Sequence, residues 1–99
     1  MVNLEFGKRM TEGLPAVIDL LFFGRLGDFA AEVDRSVACV DDRATPLAIR
    51  EWLATEHQSL AKELSEPQVL VSVNKMIVKW DQPLFDGDEL AFLPPVTGG

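Results

Sequence analysis

Few groups in this sequence are placed to do chemistry, and the strongest candidate is the chain end. Thr97-Gly98-Gly99 closes on two residues that lack a Cβ, so the terminus can enter a channel too narrow for any other residue. The reactive group there is the α-carboxylate of Gly99. It is ionised at neutral pH; as an anion it is a poor electrophile and must be activated before it can react. The competing reading is an ordinary loose chain end.

Side chains offer less. His57 is the sole histidine and Cys39 the sole cysteine. A catalytic histidine needs a nucleophile and an orienting partner nearby. Nothing points to either, so His57 reads as a polar residue at a helix end. Cys39 lies among apolar residues with no basic neighbour to favour the thiolate, and reads as a small core residue. One histidine and one cysteine make no ligand cluster, so no metal is expected. Asp86 and Asp88 flank Gly87, a pattern that turn chemistry explains better than acid–base catalysis. No glycine-rich phosphate loop is present, and no bound cofactor is expected.

A reactive terminus needs an element that presents it. Leu90 to Leu93 reads as a strand stopped by Pro94-Pro95, which lack N–H groups and fix φ near −65°. The pair stiffens an extended exit, and Val96 is the only large apolar side chain beyond it. In that strand Leu90 and Phe92 are expected to face the core, and Glu89, Ala91 and Leu93 to face outward. A first strand is expected over 16–23 from its β-branched and aromatic content. Asp19 marks its solvent face, which Leu21 and Phe23 share, and Ile18, Leu20 and Phe22 face the core. A helical turn with Arg25, Leu26 and Phe29 follows, then a weaker strand over 35–41 with Val37, Cys39 and Val40.

Thr45-Pro46 signals a helix start, an N-cap followed by proline at the first helical position. Ile49, Trp52 and Leu53 give its apolar stripe. Glu56 would interrupt that stripe in a continuous helix, so a break is expected near His57, with a second short helix over 59–64. Trp52 and Trp80 read as core or half-buried. A third strand over 68–74 places Val69, Val71 and Val73 on one face. Asn74-Lys75 turns the chain into a strand over 76–80, where Lys79 marks the solvent face and Ile77 sits beside it. Gly87 is the expected positive-φ residue of the last turn. Phe23, Ile77 and Leu93 are thus apolar residues on charge-marked faces, and Phe23 and Leu93 form one patch beside the tail if the first and last strands are neighbours. The alternative is singly scattered surface apolars. The order of elements predicts an α+β fold, with a helix packed on one face of a mixed sheet.

The totals bound the rest. Ninety-nine residues make one domain, burying roughly 60–70% of the surface exposed by the unfolded chain. Sixteen acidic against nine basic residues give a formal charge of −7. That argues against nucleic acid or anionic membranes and for a partner with a basic surface. A single cysteine implies no disulfide compartment. No apolar run reaches membrane-span length, and the N-terminus lacks the apolar core of a secretory signal, so the cytoplasm is expected. Residues 1–15 read as an N-terminal extension, disordered or adding a little edge structure; 16–95 as the folded domain; 96–99 as a flexible tail.

Asp86-Gly87-Asp88-Glu89, the short apolar strand, Pro94-Pro95 and Gly98-Gly99 resemble, in order and spacing, the end of the small subunits of molybdopterin synthase, a branch of the ubiquitin-like β-grasp sulfur carriers. Weaker resemblance reaches back to about Ile18; residues 1–15 have no counterpart. The resemblance implies a β-grasp fold with the first and last strands adjacent and parallel at the centre, and one main helix across one face. It implies that the chain is not an enzyme on its own. The resemblance implies that its large-subunit partner binds Phe23, Ile77, Leu93, Pro94 and Pro95, while Val96, Thr97 and Gly98 thread into the partner's active site. A ubiquitin-activating-like enzyme uses ATP to adenylate Gly99, and a sulfur donor displaces AMP to leave a thiocarboxylate. The large subunit uses that sulfur to convert cyclic pyranopterin monophosphate into molybdopterin. Related carriers of thiazole or cysteine formation share the fold and diglycine; the double proline and the length favour the molybdopterin branch. A ubiquitin-like modifier that forms isopeptide bonds, or a plain interaction domain, are the alternatives of a different class.

Overall fold

The computed structural model describes residues 16–39 and 44–95. Among these residues five strands and three short helices run in the order β1 (Ala16–Phe22), α1 (Leu26–Phe29), β2 (Ser36–Cys39), α2 (Pro46–Leu53), α3 (Gln58–Leu64), β3 (Leu70–Val73), β4 (Met76–Val78) and β5 (Glu89–Leu93). The strands form one mixed sheet in the order β2-β1-β5-β3-β4. β1 and β5 lie side by side and parallel, with Leu20 opposite Leu90 and Phe22 opposite Phe92. The other pairings are antiparallel. A parallel neighbour requires a long crossover, here supplied by everything between the first strand and the last. This is the β-grasp arrangement.

The core lies between the sheet and the helices. Ile18, Leu20, Val71, Leu90 and Phe92 supply the sheet side, and Leu26, Ile49, Leu53, Leu60 and Leu64 the helical side. Among the described residues the main helical layer is made of two consecutive helices, α2 and α3. The layer divides at His57, which sits at the N-cap position of α3 without a side-chain capping bond. α2 begins as expected, with Thr45 extended and its Oγ1 accepting a 3.1 Å bond from the Ala48 N–H ahead of Pro46. Removing the cap with Thr45→Ala should cost about 1 kcal/mol, read as a lower denaturant midpoint at unchanged slope; an unchanged midpoint would show the cap to be energetically idle.

Several expectations need correction. Trp52 is 50% exposed rather than part of the buried stripe. The buried residues of α2 are Pro46, Ile49 and Leu53, and at 100° per residue Trp52 falls roughly a quarter-turn off their centre. Ala91 faces the open side, as alternation requires, yet it is buried at 4% exposure. Its methyl group sits on the central strand between Leu21 and Ser72, whose side chains shade it. The strands are also shorter than their sequence patterns: β1 stops at Phe22, where Gly24 turns the chain at φ +56°, and β4 stops at Val78. Residues 1–15, Val40, Asp41 and 96–99 lie outside the described residues.

Candidate functional site

The candidate site is the tail end of β5 and the sheet face beside it. β5 is held from below by an aromatic stack. Phe92 is fully buried, stacks on Phe22 at 5.1 Å and meets Trp80 at 5.9 Å. The Arg50 guanidinium covers Trp80 at 4.6 Å, a favourable cation–π geometry, and Arg50 Nη1 reaches the Leu64 carbonyl at 3.4 Å. The strand that emits the tail is therefore tied through its buried face to both α2 and α3.

On the exit side, the Phe23 N–H donates to the Phe92 carbonyl at 3.1 Å, after which β1 turns away at Gly24. A Cβ built there would lie 2.9 Å from Pro94 Cγ, closer than van der Waals contact allows, so the bare Cα of Gly24 lets the proline lie against the turn. Pro94 and Pro95 are half-buried and follow the strand without joining it.

The opposite end of β5 is a hydrogen-bonded clamp built from the acidic turn. Asp86 Oδ1 accepts from the Val17 N–H at 2.8 Å, and Asp88 Oδ2 from the Phe85 N–H at 2.8 Å. Asn74 Nδ2 donates to Asp88 Oδ1 at 2.9 Å, and the Glu89 N–H donates to Asn74 Oδ1 at 3.0 Å. Gly87 takes φ +89°, and Asn74 and Lys75 take φ of 51° and 74°. The acidic pair is thus occupied with backbone N–H groups, as turn chemistry requires. It registers β5 against β1 and β3.

The sheet face away from the helices is uncovered by any described element. Phe23 is 47% and Ile77 59% exposed, and Leu93 is half-buried. β1 and β5 are neighbours, which brings Phe23 alongside Leu93; Ile77 reaches the same face through its pairing with Ser72, which in turn opposes Ala91. The sequence reading missed Leu70. It pairs with Leu93 in register and is 49% exposed. Its alternation with buried Val69 and Val71 was the available signal. Val96, Thr97, Gly98 and Gly99, the expected threading and reacting residues, lie outside the described residues.

The other candidates stay apart from this face. Cys39 is half-buried and packs against the core. His57 lines an open depression on the helical side with Asp28, Phe29, Glu32 and Glu56. Among the described residues no group of three or more histidine, cysteine or carboxylate side chains is placed to hold a metal, and no helix is long and apolar enough to cross a membrane.

The arrangement defines a ubiquitin-like β-grasp domain, and in the sequence Gly98-Gly99 follow its last strand. The model of the ThiS family matches residues 20–99, and the chain belongs to that family. It is 39% identical over 83 residues to the molybdopterin synthase sulfur carrier subunit of Escherichia coli, a match covering 84% of this chain and all of that one. Among solved structures it is similar to the HVO 2177 protein of Haloferax volcanii (TM-score 0.69, 30% identity, 86% of this chain and 88% of that one). It is also similar to the protein SAMP1 of the same organism (TM-score 0.64, 28% identity, 85% of this chain and all of that one).

Proposed function

We propose that this chain is the sulfur-carrier subunit of a molybdopterin synthase. The observation that carries the reading is the family match through the C-terminal diglycine, with the full-length likeness to the Escherichia coli carrier subunit. The geometry agrees with it: an apolar, uncovered sheet face adjoins the point where the tail departs. The chain has no active site of its own in this reading. An adenylating enzyme transfers AMP from ATP to the Gly99 carboxylate, releasing pyrophosphate. A sulfur donor then displaces AMP and leaves a thiocarboxylate. The large subunit docks on the face of Phe23, Leu93 and Ile77, receives the tail through Pro94, Pro95, Val96, Thr97 and Gly98, and passes the sulfur to cyclic pyranopterin monophosphate. The cell compartment for this work is the cytoplasm. ATP is consumed by the activating enzyme and is not held by this chain.

The test is the intact mass of the protein purified from its own cells. A fraction of molecules should show one oxygen exchanged for sulfur, localised to Gly99 by fragmentation. The similarity to SAMP1 of Haloferax volcanii, whose other solved structure is described as a small archaeal modifier protein, favours one second reading, that of a protein modifier. In that case the same preparation would contain Gly99 joined to lysine side chains of other proteins and no thiocarboxylate.

A further inference from the structure

The docking face is not uniform, and its two halves differ in a way the sheet register makes explicit. At the tail end, Phe23, just past the end of β1, stands beside Leu93 on β5, which pairs with Leu70 on β3. The next row holds Leu21, Ala91, Ser72 and Ile77. Ala91 and Ser72 are buried at 4% and 6% exposure, so their small side chains make a low floor between the taller flanks. The row after that changes character: Asp19 pairs with Glu89 on one side and with Ser36 on the other, and Ser36 Oγ donates to Asp19 Oδ1 at 3.0 Å. Val17 lies beyond this polar row, 40% exposed on the same face.

The tail says which half is covered, and by what. Four residues follow Pro95, and an extended chain spans at most ~3.3–3.6 Å per residue, roughly 14 Å in all. A partner that takes Gly99 into its active site must therefore bring its own surface against Leu93, Pro94 and Pro95. Leu70 is the in-register neighbour of Leu93 and cannot be far outside that contact. Leu70 is 49% exposed in one contiguous apolar patch with Leu93 and Phe23, and a contiguous patch, unlike a single exposed leucine, marks an interaction surface.

We propose that the footprint of the large subunit runs across the tail end of the open face from Phe23 to Ile77 on β4, takes Leu70 on β3 as an apolar anchor between Leu93 and that edge, and ends at the Asp19–Glu89 row. The inference rests on the sulfur-carrier reading and adds to it a residue and a boundary. The partner surface it fits is apolar where it meets Phe23, Leu93 and Leu70, and polar or basic where it meets Asp19 and Glu89. Such a face admits one docking orientation, since turning the partner about would set carboxylates against its apolar surface. One orientation is what a short tail requires if it is to reach one active site on this partner.

The experiment compares Leu70→Gln with Val17→Gln, matched neutral changes on the same face, in calorimetric titrations against the purified large subunit. Phe23→Glu serves as the reference for the docking face, and melting curves establish that every variant is folded. Leu70→Thr is the second variant, because a β-branched residue keeps the strand propensity. The expected result is that both Leu70 variants bind at least about tenfold more weakly, whereas Val17→Gln stays within about twofold of the wild type. Wild-type affinity in folded Leu70 variants, with Phe23→Glu weakened, would overturn the proposal and leave the docking face standing. Wild-type affinity in all of them would overturn the docking face as well. Equal weakening by Val17→Gln would overturn the boundary at the acidic row.

Discussion

Replacing Phe23 and Leu93 by glutamate should weaken binding of the large subunit while leaving a folded carrier. Phe23 is 47% exposed and contributes its backbone N–H, not its ring, to the bond with Phe92; the substitution keeps that bond. Leu93 is half-buried at the end of β5, so its glutamate variant loses some packing and Phe23→Glu is the cleaner change. Apolar anchors at an interface centre can be worth 2 kcal/mol or more, which is roughly thirtyfold in affinity. A carboxylate adds the cost of desolvating a charge against an apolar surface. Calorimetric titration gives the affinity and a melting curve gives the stability. If the folded double variant binds as tightly as the wild type, this face is not where the large subunit docks.

The fold was largely legible because its signals were local. Thr45-Pro46 announced α2, Asp86-Gly87-Asp88 announced the last turn, and Glu56 in an apolar stripe announced the break at His57. Alternation around Asp19 and Glu89 placed Phe23 and Leu93 on the open face. Strand order was not local: the parallel pairing of β1 with β5 came from resemblance, since periodicity says which face a residue takes and not which strand lies beside it. The errors have the same origin. Ala91 was expected to be exposed because alternation gives direction, whereas its burial depends on Leu21 and Ser72 in flanking strands. Trp52 reads as core or half-buried from its place at i+3 from Ile49, but the buried stripe runs through Pro46 and Leu53, which moves its centre away from the indole and leaves Trp52 50% exposed. Leu70 was overlooked because no charge in its own strand marked the open face; its neighbour Leu93, assigned only by the sheet, reveals it. The described portion of the candidate site is thus a face and an exit, and Gly99 is proposed as the reacting residue on the sequence resemblance alone.

Deleting Gly99 should abolish sulfur transfer and leave stability almost unchanged. The shortened chain ends in a Gly98 carboxylate one residue short of its destination, a deficit of at most ~3.3–3.6 Å. A misplacement of about 1 Å can cost on the order of a hundredfold in a positioned reaction, so a whole residue removes the reacting carbon from reach of both the adenylating site and the site of sulfur transfer. Stability should hold because the deleted residue has no side chain to bury and follows the last strand by several positions. Gly98→Val should fail for a different reason. The carboxylate remains at full length, but a branched, χ1-restricted side chain has to pass where glycine needs no room. Both variants keep Phe23, Leu93, Leu70 and Ile77, so both should still dock, and each should inhibit the wild-type carrier by competing for the large subunit. The measurement is reconstituted sulfur transfer with the activating enzyme, the large subunit and each variant, alongside a melting curve and a competition assay. Full turnover by the Gly99 deletion would sink the carrier mechanism. Lost activity together with a collapsed melting temperature would assign the tail to the fold instead. Lost activity with wild-type melting and intact competition is the expected combination, since it separates the face that holds the partner from the carboxylate that reacts.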